Sequence, residues 1–338
     1  MADRRLPSHG GLSMAKAIVL RETGGPEVLR LEDVEIGAPG PGEVRLQQTA
    51  VGVNYHDVYI RDGSYKGWMD LPGIPGVEAA GVVEAIGPGV AGFTPGDRVA
   101  YLTPRYGGYA EARLIPAERV LHLPDAISER TAAASMVKGL TAWLLLHRVH
   151  RVQPGNRVLV HAAAGGVGRV LCRWAAHLGA EVIGTVGSPE KAVLARQSGC
   201  AHTILYREED FVVRVEEITA GQGVDVAYDS VGRDTFAGSL ECLGLLGHLV
   251  SFGQSSGPAE PFAVSRLSAR SNSISRPVVF HYVARRAALE QAAGMFFGAL
   301  ADGVLEIDIA GTFPLAEVAE AHRLLEARRS TGSLILVP

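Results

Sequence analysis

Cysteine is scarce: Cys172, Cys200 and Cys242 are the only three in 338 residues. An odd number without C-x-x-C spacing excludes a disulfide framework and a zinc ribbon. Long apolar runs are also missing. Trp143–Leu146 stops at His147 and Ala17–Leu20 stops at Arg21, whereas a membrane span needs ~20 apolar residues. The stretch from Met1 to Ser13 has Arg4 and Arg5 but no apolar centre, so it does not read as a secretory signal. Nor is there an excess of positive charge. Lys and Arg number 32 against 36 Asp and Glu, a net charge of −4, which argues against a nucleic-acid binder and its basic stripe. A cytoplasmic protein is the expectation.

What is present is an ordinary globular balance, 47% apolar and 20% charged. At ~150 residues per domain the length allows two domains. From about Met14 to His122 short strands alternate with Gly and Pro punctuation. Glu43–Gln47 has period two, Glu78–Ile86 is a buried-strand run, and Pro95-Gly96 turns into Asp97–Tyr101. This spacing predicts a β-rich, barrel-like unit. Met14 reads as a strand start, so residues 1–13 are expected to be a loose extension.

From about Leu123 to Ser275 the pattern changes to alternating strand and helix. Arg157–Ala162 is a strand, Val167–Leu178 a helix with Leu171, Trp174, Ala175 and Leu178 on one face, and Gly179 stands at its stop. Glu181–Val186, Thr203–Tyr206, Val224–Asp229 and Leu249–Phe252 are further strands. Ser188-Pro189 opens one helix; Asp210–Thr219 and Thr235–Leu243 are others. Such alternation predicts a doubly wound parallel sheet, an α/β fold. Ala284–Pro338 has two amphipathic helices and a final strand, Leu334–Val337. It is too short for its own core and is expected to complete the first domain.

Two segments compete as a dinucleotide loop. Gly87-Pro88-Gly89-Val90-Ala91-Gly92 matches G-x-G-x-x-G, but Phe93-Thr94-Pro95-Gly96 cannot open a helix, so it reads as a turn. Ala162-Ala163-Ala164-Gly165-Gly166-Val167-Gly168 lacks the first glycine yet lies between a strand and a helix. Small residues there let the backbone approach a pyrophosphate, and the helix N-terminus offers N–H groups to it. The next strand ends Gly184-Thr185-Val186-Gly187-Ser188, with no carboxylate for ribose hydroxyls, and Lys191 stands in the first turn beyond. A cation there opposes the helix dipole unless an anion such as a 2′-phosphate compensates it, which points to NADPH.

Asn54-Tyr55-His56-Asp57-Val58-Tyr59-Ile60-Arg61, Lys138-Gly139-Leu140-Thr141, His161–Gly168, Tyr206–Asp210, Asp229–Gly232, Ser251-Phe252-Gly253 and Gly332-Ser333-Leu334 occur in that order. Together they resemble the NADPH:quinone oxidoreductases, the zeta-crystallin-like, zinc-independent branch of the medium-chain dehydrogenase/reductase superfamily. The resemblance runs from about Met14 to Pro338. It implies a GroES-like β-rich catalytic domain (14–137 and 276–338), a Rossmann domain (138–275), an active site in the cleft between them, and a homodimer. It also implies roles for single residues. Asn54 and Tyr59 would line the nicotinamide side, with Lys138 and Thr141 beside the cofactor. Gly165, Gly166 and Val167 would cradle the pyrophosphate; Gly187, Ser188, Lys191 and Tyr206 would hold the 2′-phosphate region. Ser230, Phe252 and Gly253 would approach the nicotinamide, and Arg328 the phosphate.

The same superfamily contains zinc alcohol dehydrogenases. Where those carry Cys and Gly-His-Glu, this chain has Asn54 and Gly76-Val77-Glu78, so no metal is expected. Without a Lewis acid, the acceptor must take hydride readily, as quinones and carbonyl-conjugated alkenes do. Tyr59 is the candidate proton donor and Asn54 its positioning partner, with solvent as the alternative proton source. Two alternatives stand beside the quinone reductase. One is an enone or enoyl-thioester reductase, for which Arg276 or Arg285-Arg286 would contribute to a basic entrance. The other is a non-catalytic NADPH-binding structural or RNA-binding protein. His147 and His150 read as a solvated helix end, His56 as structural, and Cys172 as a buried small apolar residue.

Overall fold

The computed structural model describes residues 13–327 and 329–338. In chain order the first part holds β1 (Ser13–Leu20), β2 (Leu29–Ile36), β3 (Glu43–Val53), α1 (Tyr55–Arg61), β4 (Glu78–Ile86), β5 (Arg98–Leu102), β6 (Ala112–Pro116), β7 (Val120–His122) and α2 (Glu129–Ala133). The middle holds α3 (Met136–Leu144), β8 (Arg157–Val160), α4 (Gly166–His177), β9 (Glu181–Val186), α5 (Pro189–Gln197), β10 (His202–Leu205), α6 (Phe211–Ile218), β11 (Val224–Asp229), α7 (Phe236–Glu241) and β12 (Leu243–Ser251). After these come β13 (Ser273–Ser275), α8 (Val279–Tyr282), α9 (Arg286–Ala301), β14 (Ile309–Pro314), α10 (Val318–Glu326) and β15 (Ser333–Val337).

The chain divides into two compact units, one of residues 1–136, 311–328 and 334–338, the other of 137–310 and 329–333. In the first, β3 is the organising strand. It pairs antiparallel with β4, β6 and β15 in a seven-stranded sheet, and β1 and β2 form a separate ribbon. Ile18, Leu46, Val51, Tyr101, Tyr109 and Ile115 fill its core, joined by Val318 and Ala321 of α10. The segment Gly87–Gly92 is a turn here: Gly89 and Gly92 have φ of +77° and +81°, and no helix comes after it.

In the second unit the strands run parallel in the order β10-β9-β8-β11-β12-β13. That is the doubly wound arrangement, with the order reversing between β8 and β11, where ligands bind at the carboxyl ends of the strands. β8 and β9 are buried on both faces, as continuous Val/Ile/Leu runs require.

Three expectations change. Residues 276–310 belong to the second unit, not the first. β13 docks parallel on β12, and α9 buries Leu289, Ala292, Phe296 and Phe297, with Phe296 lying where a β-carbon on Gly139 would collide with it. Only from Gly311 does the chain return, through β14, a strand not foreseen. Residue 13 is not in a loose extension: Ser13 pairs with Ile36 as the first residue of β1, and residues 1–12 lie outside the described ones. The strand expected to reach Ala162 stops at Val160, because Ala162 takes a left-handed φ of +53°. No helix among the described residues is long and apolar enough to cross a membrane.

Candidate cofactor and active site

The glycine loop starts where β8 ends. Ala162 turns the chain, Gly165 N donates to Ala162 O over 2.8 Å, and Ala163 N donates to Thr185 O over 3.1 Å. Gly165 caps α4 without any side-chain hydrogen bond, so no side chain of the cap takes the first N–H groups of the helix. A β-carbon on Gly168 would collide with Ala162 O and stand 2.9 Å from Ala163 Cα, so glycine is needed for helix and loop to close together. The first N–H groups of α4, left without a side-chain cap, fit a pyrophosphate. Lys138, on α3, is buried, and its Cε lies 2.9 Å from the place a Gly166 β-carbon would take. Thr141 is one turn further along the same helix.

The loop is held from beneath. His161 Nδ1 pairs with Thr185 Oγ1 at 2.9 Å and its Nε2 with Ser239 Oγ at 2.8 Å; burial pushes its pKa down, so the ring is neutral. Ser239 Oγ lies 3.1 Å from Asp229 Oδ2. Asp229 Oδ1 accepts from the Val231 and Gly232 amides at 2.8 and 3.0 Å, which fixes the bend that presents Ser230. Phe252 N donates to Asp229 O over 2.8 Å, and a β-carbon on Gly253 would stand 2.6 Å from Ser230 O. Ser230, Phe252 and Gly253 are therefore brought together at the ends of β11 and β12.

At the end of β9 a second cluster forms. Ser188 caps α5 and accepts from Lys191 N over 3.4 Å, which sets Lys191 in the first helical turn. A β-carbon on Gly187 would lie 2.8 Å from Tyr206 Oη and 3.5 Å from Arg207 Nε. Gly187, Ser188, Lys191 and Tyr206 thus share one corner. Arg207, which the sequence pattern does not single out, joins them with a second cation. Arg328 lies outside the described residues.

In the first unit, Asn54 is the N-cap of α1. Its side chain and that of Asp57 form a reciprocal capping box, with Asn54 N donating to Asp57 Oδ2 over 2.8 Å. Asn54 Nδ2 donates to Glu78 Oε1 over 2.7 Å, both residues buried. Tyr59 is buried one turn on, 5.4 Å from the Tyr55 ring and 4.8 Å from the Tyr65 ring. His56 Nε2 pairs with Tyr106 Oη at 2.9 Å, and its ring meets Tyr65 and Trp68 edge-on at 5.6 and 5.7 Å. Arg113 anchors this wall, donating to the carbonyls of Arg105 and Tyr106 at 3.0 and 2.9 Å.

Known proteins share both this sequence and this geometry. Residues 40–125 match the model of the alcohol dehydrogenase GroES-like domain, and residues 166–295 that of the zinc-binding dehydrogenase. A quinone oxidoreductase of Pseudomonas aeruginosa is 46% identical, over 96% of this chain and 100% of its own length. A 2-haloacrylate reductase of Burkholderia is 45% identical, over 96% and 99%. The crystal structure of Escherichia coli quinone oxidoreductase complexed with NADPH superposes with a TM-score of 0.93 at 42% identity, covering 96% of this chain and 100% of that one. The chain belongs to the quinone oxidoreductase family. It is an oxidoreductase of the medium-chain dehydrogenase/reductase type, with GroES-like and Rossmann units.

Within that family, the residues at the zinc positions of the alcohol dehydrogenases are telling. Asn54 offers a hydrogen-donating amide already directed at Glu78, and Val77 is buried and apolar. Neither is a zinc ligand. Among the described residues no three His, Cys, Asp or Glu side chains converge as a metal cluster. Cys172 is buried 3.4 Å from Cys200 Sγ, and its thiol pKa is pushed well up, so it behaves as a small core residue. The two helix-end histidines are half-buried rather than fully solvated. His147 sits on a single π-helical turn, half-buried and edge-on to Trp174 at 5.1 Å, and His150 is half-buried 5.9 Å from His248. Burial lowers the pKa of both.

Proposed function

We propose that the chain is a zinc-independent, NADPH-dependent quinone oxidoreductase. NADPH held here would supply hydride chemistry, a hydride from nicotinamide C4 to the quinone. The observation that carries this reading is the side-chain set around α1. Packed aromatic rings (Tyr55, Tyr59, Tyr65) follow in the chain after an amide, Asn54, whose orientation is fixed by Glu78 and Asp57. Such a surface suits a flat, uncharged acceptor, which stacks on rings and takes hydrogen bonds at its carbonyl oxygens.

The cofactor is held by this chain's own groups. Gly165, Gly166 and Val167 present backbone to the pyrophosphate, while Ser188, Lys191, Tyr206 and Arg207 meet the 2′-phosphate. Lys138, Thr141, Ser230, Phe252 and Gly253 surround the nicotinamide half. Tyr59 donates the proton to the developing oxyanion, and Asn54 orients the acceptor. Orientation and exclusion of water then supply the catalysis that a Lewis acid supplies elsewhere. A homodimer, as the family resemblance implies, is tested by gel filtration with light scattering.

A second reading, reduction of a carbonyl-conjugated double bond, is favoured by one observation: the Burkholderia relative is a 2-haloacrylate reductase. Its enoyl-thioester form finds less support. Arg276 donates to Ser251 O and Gly253 O at 3.3 and 2.9 Å, and Arg286 Nε donates to Glu290 Oε1 at 2.7 Å, so both guanidinium groups are engaged within the protein. NADPH oxidation measured against 1,4-benzoquinone, 1,4-naphthoquinone, 2-chloroacrylate, crotonyl-CoA and alkenals separates these readings. Turnover of quinones above the others is expected. Turnover of 2-chloroacrylate alone overturns the proposal, and silence across the panel favours the non-catalytic NADPH-binding reading.

A further inference from the structure

A chain of buried polar groups runs from α10 to the N-cap of α1. Arg61 Nη1 and Nη2 grip Glu326 with bonds of 2.9 and 2.7 Å, and Nη1 lies 3.5 Å from His322 Nδ1. His322 Nε2 is 3.1 Å from Tyr109 Oη, and Tyr109 Oη donates to Asp57 Oδ2 over 2.9 Å. Asp57, Tyr109 and His322 are fully buried and Arg61 nearly so. Valence sets the proton order. Tyr109 has one hydrogen and gives it to Asp57, so its oxygen accepts from Nε2–H of His322, whose Nδ1 lone pair faces Arg61. Desolvation, and then the Arg61 charge, keep that ring neutral.

The chain ends on Asp57, which together with Glu78 holds Asn54. Asp57 Oδ2 accepts from both Tyr109 Oη and Asn54 N, while the Asp57 amide is met by the Asn54 side chain. The Asn54 amide is thereby set with its nitrogen toward Glu78. We infer that Tyr109 and His322 are positioning residues for the reaction: they act through Asp57 to orient the Asn54 amide that meets the acceptor. The inference rests on the role proposed above for Asn54. It makes α10, more than 200 residues away in sequence, part of what aligns the site. The spanning bonds are neutral or buried in a low-dielectric core, where loss of one partner leaves an unsatisfied group rather than a hydrated one.

The test uses the full-length chain. Tyr109→Phe keeps the ring and deletes the bond to Asp57. It is expected to lower kcat for 1,4-benzoquinone five- to twenty-fold while KM for NADPH stays within twofold. In an Asn54→Ala background the same change should alter kcat less than twofold. Equal losses in both backgrounds, or no loss in the first, overturn the inference. A structural role alone would reduce kcat in both. Should Tyr109→Phe fail to fold, His322→Gln is judged by the same pair of measurements. A readout independent of turnover is the Asn54 side-chain amide signal in a 15N-correlated NMR spectrum, assigned by its loss in Asn54→Ala. It should shift in either positioning variant, and an unmoved signal overturns the inference. Wild-type inactivity toward every quinone would instead sink the functional reading, leaving the NMR result to judge the positioning.

Discussion

Asn54 Nδ2 donates a hydrogen bond to Glu78 Oε1 across 2.7 Å, so an amide and a carboxylate satisfy each other where the alcohol dehydrogenases build a zinc site. An amide N–H directed at a carboxylate has no lone pair to give a metal. Overnight dialysis against 1,10-phenanthroline is therefore expected to leave the NADPH:quinone rate within 10–20% of the untreated enzyme, and mass spectrometry of the holoprotein should find well under one zinc per chain. Loss of activity restored by zinc would contradict this pairing.

The corner formed by Gly187, Ser188, Lys191, Tyr206 and Arg207 has no carboxylate at the end of β9. A charge-assisted contact to a phosphate contributes on the order of 1.5–3 kcal/mol, and 1.4 kcal/mol is about tenfold in affinity. Lys191→Ala should raise Kd for NADPH about tenfold and leave NADH within twofold, as read by nicotinamide fluorescence. An equal loss for both coenzymes would remove the 2′-phosphate from this corner.

Trp68 is 42% exposed and stacks on Tyr65 at 5.1 Å, and Tyr65 in turn packs on Tyr59. The wall therefore continues outward from Tyr59 beyond the reach of a single-ring acceptor. Aromatic pairs contribute ~0.5–1.5 kcal/mol beyond area burial. Trp68→Ala should lower kcat/KM for 1,4-naphthoquinone about fivefold and for 1,4-benzoquinone less than twofold. A uniform effect on the two would show that Trp68 serves only the fold.

Burial lowers the pKa of His322 to about 3 and that of His56 to about 4, from an ordinary 6.5. Between these values and 6.5 the unfolded chain binds protons that the folded chain refuses. Stability is therefore complete above pH 6.5 and falls as the pH drops, by up to ~1.4 kcal/mol per pH unit for each ring. Urea unfolding at pH 8, 6.5 and 5 should give a flat upper limb and a steep lower one. His56→Leu should make the acid slope shallower, the remainder coming from His322 and the other histidines whose pKa burial lowers, and an unchanged slope would show that His56 is hydrated in the native state.

The elements that carry the cofactor were legible because their signals are local. Val224–Asp229 is read with its observed bounds, and α4 is displaced by a single residue at each end, since the cap and the stop are each set by residues within a turn of the boundary they mark. The glycine loop could be told from its decoy at Gly87–Gly92 by the residues just beyond each: a helix can start at Gly166, and none can start at Phe93. Arg207 adjoins Tyr206 in the sequence without a legible role, because nothing in the one-dimensional pattern shows which way an exposed arginine turns.

The periodicities, the parallel α/β sheet, the small-residue loop and the absence of soft ligands at Asn54 and Val77 follow from the order of residues along the chain. Each of these is set by neighbours a few positions apart. Tertiary structure alone decided that residues 276–310 extend the second unit, because an amphipathic helix announces a buried face but not the surface that buries it. It alone joined His322 to Tyr109 and Arg61 to Glu326, pairs 213 and 265 residues apart. Bonds between such distant groups leave no mark in local spacing; they exist only because closing the core removes the water that would otherwise have satisfied each group.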